Sequence, residues 1–239
     1  MIKNILLFFV ALFMASTLQA QSFAWGLKGG LTVGFQNWQG TPRDLLPRYH
    51  GILFMESLPA GNDFALFGQI GYHVKGSARR NLQVNLGGGG TFRPPAETYE
   101  FNNLSLVLGA KQKFEFRDFA KTFYSFGIRG DYTLSTNLDE FTQDGFLISP
   151  FFPSNAFVRK LNYGVYIGGG LEFALSDLIG ATVELSVSPD FSFQYQQPPL
   201  NNITDPFTGN LISLSERKVT NVALELTVGL RFLRIVEYY

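Results

Sequence analysis

The chain has 239 residues, and its 19 Lys and Arg balance its 19 Asp and Glu, so its formal net charge is zero. There is no basic excess of the kind that nucleic-acid binding requires, and the absence of cysteine excludes disulfides, thiol catalysis and cysteine-based zinc sites. Charged residues form 16% of the chain, against roughly 25% in soluble domains, and aromatic residues form 15%. This composition predicts a protein with little water-facing surface.

Residues 1–20 have the pattern of a secretory signal peptide. Lys3 supplies the positive charge, residues 5–15 are apolar, and Ala20 precedes the predicted cleavage before Gln21. The apolar run is shorter than the ~20 residues of a membrane helix, and no run of about 18 apolar residues follows it. We therefore predict a signal peptide at residues 1–20 and one domain at residues 21–239, without membrane helices.

Eight later segments alternate apolar and polar residues, which is typical of β-strands with two different faces. The last segment, residues 219–232, is the clearest example: Leu224 and Leu226 lie on an apolar face without charge, and Glu225 and Arg231 lie on the other. The eight predicted strands are residues 23–36, 49–58, 64–75, 102–116, 122–135, 161–175, 181–195 and 219–232.

The connections between these segments alternate between long and short, beginning with a long one at residues 37–47. Tilted strands of about 9–11 residues cross a bilayer, and bacterial outer-membrane barrels have short periplasmic turns and long external loops. An even number of strands lets the last strand pair with the first and leaves no edge. We predict an all-β, eight-stranded, antiparallel up-and-down barrel in the outer membrane.

One residue conflicts with this pattern. Pro189 lies inside the seventh predicted strand, where it removes a hydrogen bond that a closed barrel needs. We therefore expect either a bulge at Pro189 or strand pairing that ends near it.

Aromatic residues concentrate near the predicted strand ends, as in the two interfacial girdles of membrane barrels. Ordinary β-propensity would also enrich them there. The residues in question are Phe64, Tyr72, Phe114, Phe116, Tyr124, Tyr132, Tyr163, Phe173, Tyr195 and Phe232.

The polar faces carry charges of both signs. Eight strands enclose just enough space for their own side chains, so we expect a salt-bridged plug rather than a pore; a narrow ion path is the alternative. A soluble lipocalin-like barrel would instead need an apolar interior and a polar exterior. The predicted inward charges are Lys28, Lys75, Lys111, Lys113, Glu115, Arg129, Asp131, Glu172, Glu184, Glu225 and Arg231.

Residue types that carry chemistry are scarce. His50 and His73 are the only histidines; near the loop-side strand ends they could bind a metal or serve a hydrolase, or they could simply pack. If residues 59–63 form a turn that pairs Leu58 with Phe64, His50 faces outward and His73 inward. The glycine run at residues 87–90 lacks the Lys-Ser/Thr of a phosphate loop. We predict no catalytic, cofactor-binding or metal site, no cofactor and no enzyme activity.

Several segments resemble the PorT-like outer-membrane β-barrel family of Bacteroidetes. The first is GLKGGLTVG at residues 26–34, and further similar segments are YHGILFMESLP (49–59), FALFGQIGYHVKG (64–76), LNYGVYIGGGLEFAL (161–175) and LTVGLRF (226–232). The resemblance implies an eight-stranded barrel with periplasmic termini. The founding member is associated with type IX secretion, although most look-alikes have no assigned role. The chain departs from the usual aromatic ending of such barrels, because seven residues follow Phe232.

Together these patterns predict a non-enzymatic integral outer-membrane protein with a structural, partner-binding or secretion-associated role. The expected partners are outer-membrane lipid, the barrel assembly machinery, and a secretion-system or surface protein, with no nucleic acid. A small-solute channel and a lipid-modifying or proteolytic surface enzyme are the alternative functions.

Overall fold

The computed structural model describes residues 22–38, 43–58, 63–80, 84–86, 90–92, 96–117, 119–141, 153–204 and 209–234. The predicted signal peptide, residues 87–89 of the glycine run and the last five residues lie outside the described residues. No helix within these ranges is long and apolar enough to span a membrane.

Eight long strands form one closed antiparallel sheet, as the sequence predicts. Each strand pairs with the next in the chain, and the last pairs with the first over its full length, from Phe23 opposite Arg234 to Trp38 opposite Val219. The strands are β1 (Phe23–Trp38), β2 (Asp44–Ser57), β3 (Phe64–Arg79), β6 (Glu97–Arg117), β7 (Ala120–Thr136), β8 (Leu161–Ala174), β9 (Ile179–Pro189) and β13 (Arg217–Arg234). Closure leaves no unpaired edge.

Most barrel strands extend beyond their predicted loop-side ends. β2 starts at Asp44 and β6 at Glu97, whereas the apolar alternation begins only at residues 49 and 102. β1 and β2 are therefore separated by only residues 39–43, and the predicted long first connection is wrong. The strands remain paired beyond the segment whose outer face is apolar. In these extensions apolar and polar residues no longer alternate, so the sequence pattern does not reveal the strand.

Ordered elements also occur within the long loops. The β3–β6 loop contains a small two-stranded sheet, β4 (Val84–Leu86) and β5 (Gly90–Phe92), and the β9–β13 loop contains β11 (Leu200–Thr204) paired with β12 (Leu211–Leu214). Two short 3₁₀ helices, Leu138–Phe141 and Asn155–Phe157, lie between β7 and β8.

The conflict at Pro189 is resolved by the end of a strand. β9 stops at Pro189, opposite Val222, and the chain then bends before β10 (Tyr195–Gln197) returns to pair with β13. The bend turns Tyr195 inward, where it is fully buried; its prediction as an interfacial girdle residue is wrong. Tyr195 joins a cluster at the loop end that comprises Trp38, Tyr99, Phe101, Leu138 and Val219.

The outer surface is apolar and the interior is polar. Along β13, Leu224 and Leu226 are exposed, whereas Asn221, Glu225 and Thr227, which lie on the other face of the strand, are buried. This arrangement is the reverse of a lipocalin-like barrel, and it is the arrangement of a membrane barrel. Exposed aromatic residues lie near both ends of this surface: Trp25, Phe64, Phe114, Phe116, Phe119 and Tyr124 on the turn side, and Tyr49, Tyr132, Tyr163 and Phe191 on the loop side.

Candidate functional site

The candidate site is the barrel interior, where buried ionisable side chains form layers along the barrel axis. Every second residue of each strand points inward, and glycines on this face make room for longer side chains. Gly26 of β1 is one such position, because an added Cβ would lie 2.8 Å from the ring of Phe54 and 2.0 Å from the carbonyl oxygen of Leu230.

The layer nearest the short turns is a cluster of three cations and two carboxylates, the turn-side cluster. Glu56 accepts hydrogen bonds from Lys111 and Lys113, each at 2.7 Å, and from Arg231 at 3.1 Å. Glu172 binds the same three cations, with both Lys Nζ atoms 3.0 Å away. Each carboxylate thus bridges several cations, which satisfies the acceptor capacity of buried oxygens.

A cavity of about 460 Å³ opens beside this cluster at the turn-side mouth of the barrel. Lys113, Glu172 and Arg231 line its inner wall, and Glu115 and Lys121 lie on its rim.

A second layer combines one ion pair with aromatic rings. Lys28 donates to Glu184 at 2.7 Å, and Tyr166 also donates to Glu184. Lys28 Nζ lies 4.6 Å from the centre of the Phe54 ring, and Phe67 contacts Tyr166 edge to ring at 6.0 Å. The face of the Phe54 ring stabilises a buried ammonium group that already has its carboxylate partner.

The central layer contains both histidines. Their rings stack with centres 5.3 Å apart. His73 Nδ1 lies 2.7 Å from Glu225 Oε1, while the two nitrogens of His50 lie 2.9 Å from the hydroxyls of Thr32 and Thr227. We call these five residues the central cluster.

On the loop side, two cations alternate with two carboxylates. Lys75 Nζ lies 2.5 Å from Asp131 and 3.7 Å from Asp190. Arg129 lies 3.1 Å from Asp131 through Nε and also donates to Asp190. Ser105 completes this loop-side cluster by donating to Asp131 at 2.5 Å.

The interior charges balance. Six Lys and Arg side chains and six Asp and Glu side chains occupy the three clusters and the Lys28–Glu184 pair, so the network is neutral when both histidines are neutral. The cations are Lys28, Lys75, Lys111, Lys113, Arg129 and Arg231; the anions are Glu56, Asp131, Glu172, Glu184, Asp190 and Glu225.

The alternation of apolar and polar residues in the sequence predicts nearly all of the interior charged side chains. Of the predicted inward charges, only Glu115 is wrong: its side chain is 68% exposed and pairs with Lys121 on the rim, because β6 has passed the last layer there. Glu56 and Asp190 were missed. Glu56 lies in a strand with apolar residues on both faces, and Asp190 follows the bend at Pro189.

His50 faces inward, because the strand pairing that would turn it outward, with Leu58 opposite Phe64, does not occur. Glu56 pairs with Phe67 and His50 pairs with His73, one residue away from the register in which Leu58 opposes Phe64. A one-residue slip moves every side chain of a strand to the other face. The actual register therefore brings both histidines into the interior.

Comparisons with known proteins give only distant structural neighbours. No protein-family model and no curated protein matches the chain. Solved structures with a similar backbone include Neisserial surface protein A (10% identity, TM-score 0.47, 87% of this chain and 97% of that one). A second is the outer membrane protein OprG from Pseudomonas aeruginosa (10% identity, TM-score 0.47, 89% of this chain and 96% of that one). A third is the outer membrane protease OmpT from Escherichia coli (8% identity, TM-score 0.44, 90% of this chain and 97% of that one). These similarities are too weak for any argument about function.

A closed antiparallel barrel with an apolar exterior, aromatic ends and a polar interior is the architecture of outer-membrane proteins. The predicted fold class and outer-membrane location are confirmed. The resemblance to the PorT-like family stays a prediction.

Proposed function

We propose that this protein is a non-enzymatic integral outer-membrane barrel that is closed by its own side chains and presents its external loops, or its turn-side rim, to a protein partner. The observation that carries the proposal is the neutral network of six cations and six anions inside the barrel. Eight strands leave room for little besides side chains, and here those side chains bind one another.

The network supports a structural role for the interior. The carboxylates of Glu56, Glu172 and Asp131 each contact two or more cations, so none of these carboxylates is free to bind a passing ion. Moving ions through the barrel would require these pairs to separate, at a cost of several kcal/mol for each buried charge.

The loop side supports the binding role. β6 has 21 residues and β13 has 18, about twice the 9–11 residues that a bilayer requires, so the strands extend beyond the membrane. The cluster around Tyr195 closes this end, with Arg43 4.2 Å from the Tyr99 ring and 4.7 Å from the Trp38 ring. A well-packed rim that carries loops with short ordered elements is suited to protein recognition.

Planar-bilayer recording of the refolded protein tests the closed interior. We expect no stable conductance steps, and we expect Arg129→Ala to melt at a lower temperature without opening a path. Steady single-channel currents in the wild type, altered by Arg129→Ala without a change in melting, would instead establish the small-solute channel.

The absence of enzyme activity needs a separate experiment. His50 and His73 are the bases that a hydrolase would use, and both are buried in the interior, away from the lipid surface. We expect lipid and peptide substrates to be turned over no faster by the wild type than by the His50→Ala/His73→Ala variant. Turnover that depends on either histidine would overturn this part of the proposal.

The secretion-associated role rests on the PorT-like resemblance. Crosslinking in cells followed by purification of the barrel should recover a specific partner, and secretion genes beside this gene would favour the type IX pathway. Recovery of the barrel assembly machinery alone would count against a dedicated partner.

A further inference from the structure

The central cluster brings together two imidazoles and one carboxylate from three different strands. His50 lies on β2, His73 on β3 and Glu225 on β13. One ligand atom from each lies within 4.8 Å of the other two. All three side chains are buried, so their positions are set by the barrel rather than by a mobile loop.

Glu225 differs from the other interior carboxylates in its partner. Glu56, Asp131, Glu172, Glu184 and Asp190 each lie within 4 Å of a Lys or Arg. Among the residues that the structure describes, Glu225 has only His73 as an ionic partner. Buried charges in proteins are paired or coordinate a metal, and a cation bound between Glu225 and the histidines would give this carboxylate a second partner at close range.

The surroundings of the three residues resemble those of metal ligands. A ligating histidine usually bonds through its second nitrogen to a neighbouring oxygen, which fixes the orientation of the ring. His50 has a threonine hydroxyl 2.9 Å from each nitrogen, Thr32 on one side and Thr227 on the other. Either nitrogen can therefore bind a metal while the other remains held. Thr32 also donates to Glu225 at 3.2 Å.

Space beside His73 is provided by glycine. Gly71 points inward two residues before His73, and a Cβ there would lie 2.7 Å from His73 Nε2. The absence of a side chain lets the ring adopt its present position.

We propose that His50, His73 and Glu225 bind one divalent transition-metal ion, with Zn²⁺ the best match. Two imidazoles and a carboxylate form a recognised zinc ligand set that leaves the fourth position for water, whereas Mg²⁺ and Ca²⁺ prefer oxygen ligands alone. Bonds of about 2.0–2.1 Å in tetrahedral geometry place ligand atoms about 3.3 Å apart. Side-chain rotations would therefore separate the His73–Glu225 pair slightly and draw His50 closer.

Zinc binding to the full-length mature protein, refolded in detergent after treatment with EDTA, tests the proposal. Isothermal titration should show about one Zn²⁺ bound per chain. Zn²⁺ should also raise the melting temperature of the protein. Mg²⁺ at the same concentration should produce neither effect. Co²⁺ in place of Zn²⁺ should show the visible absorption of a tetrahedral nitrogen–oxygen site.

Variants separate this site from adventitious binding. His73→Asn and Glu225→Gln should weaken Zn²⁺ affinity by about 100-fold or more. The Thr32→Val/Thr227→Val double variant, which removes whichever hydroxyl holds the second nitrogen of His50, should weaken it by about 10–100-fold. Gln69→Ala, which alters another buried interior residue on β3, should bind like the wild type. If His73→Asn fails to refold, the Thr32→Val/Thr227→Val variant and the Co²⁺ spectrum decide the question. The proposal is overturned if the wild type does not bind Zn²⁺, if the ligand variants bind as well as Gln69→Ala, or if Co²⁺ gives only its spectrum in water.

Discussion

Replacing Glu56 with glutamine removes one of the two carboxylates that neutralise three buried cations. Glu56 is fully buried and lies 2.7 Å from Lys111 and Lys113 and 3.1 Å from Arg231. The variant leaves three cations with Glu172 alone. Loss of one partner of a buried ion pair costs about 3–5 kcal/mol, and at about 2–4 °C per kcal/mol for a chain of this size the melting temperature should fall by about 6–20 °C.

Two further variants control this measurement. Combining Glu56→Gln with Lys113→Met restores the original charge balance of the cluster and should recover part of the lost stability. Glu115→Gln removes an exposed carboxylate on the turn-side rim and should change stability by less than about 0.5 kcal/mol. Melting is followed by circular dichroism of the refolded proteins. A Glu56→Gln variant as stable as Glu115→Gln, or a double variant less stable than the single one, would refute the ion-pair reasoning.

The other predictions concern other parts of the barrel. Glu225→Ala and Arg129→Ala should each lower the melting temperature and leave bilayer conductance unchanged, since both residues belong to the plug. Tyr195→Ala should cost about 3–5 kcal/mol, because the ring is fully buried under the loops, and limited proteolysis should then cleave the loop side faster; an unchanged cleavage pattern contradicts this. Gly30→Ala should prevent refolding, measured by electrophoretic mobility, because its Cβ would lie 1.9 Å from the carbonyl oxygen of Leu226; a stable, folded variant would show that the β1–β13 seam can adjust.

Sequence patterns predict the barrel well because each strand has two different environments. A residue such as Leu226 faces lipid and its neighbour Glu225 faces the interior, so alternation records both the strand and its orientation. The same alternation predicts the inward orientation of the turn-side and loop-side cations. It fails where the two environments end: Glu115 lies past the last interior layer and Tyr195 lies past the bend at Pro189.

The central cluster was not predictable in this way. Its existence depends on which residue of β2 faces which residue of β3, and alternation within a single strand does not specify the pairing between two strands. Residues 51–55 are apolar on both faces except for glycine, so either orientation of β2 satisfies the lipid side. The orientation of His50 therefore depends on the pairing between β2 and β3.

The interior side chains select the register between β2 and β3. In the alternative pairing, shifted by one residue, Glu56 and His50 would face lipid, and Lys111 and Lys113 would lose the carboxylate that both contact at 2.7 Å. A charged side chain on the lipid face is unfavourable, and buried lysines without a partner are more so. The ion pairs therefore do more than fill the barrel: they decide between two strand pairings that the apolar surface does not distinguish. The pairing that they favour is also the one that brings His50, His73 and Glu225 together.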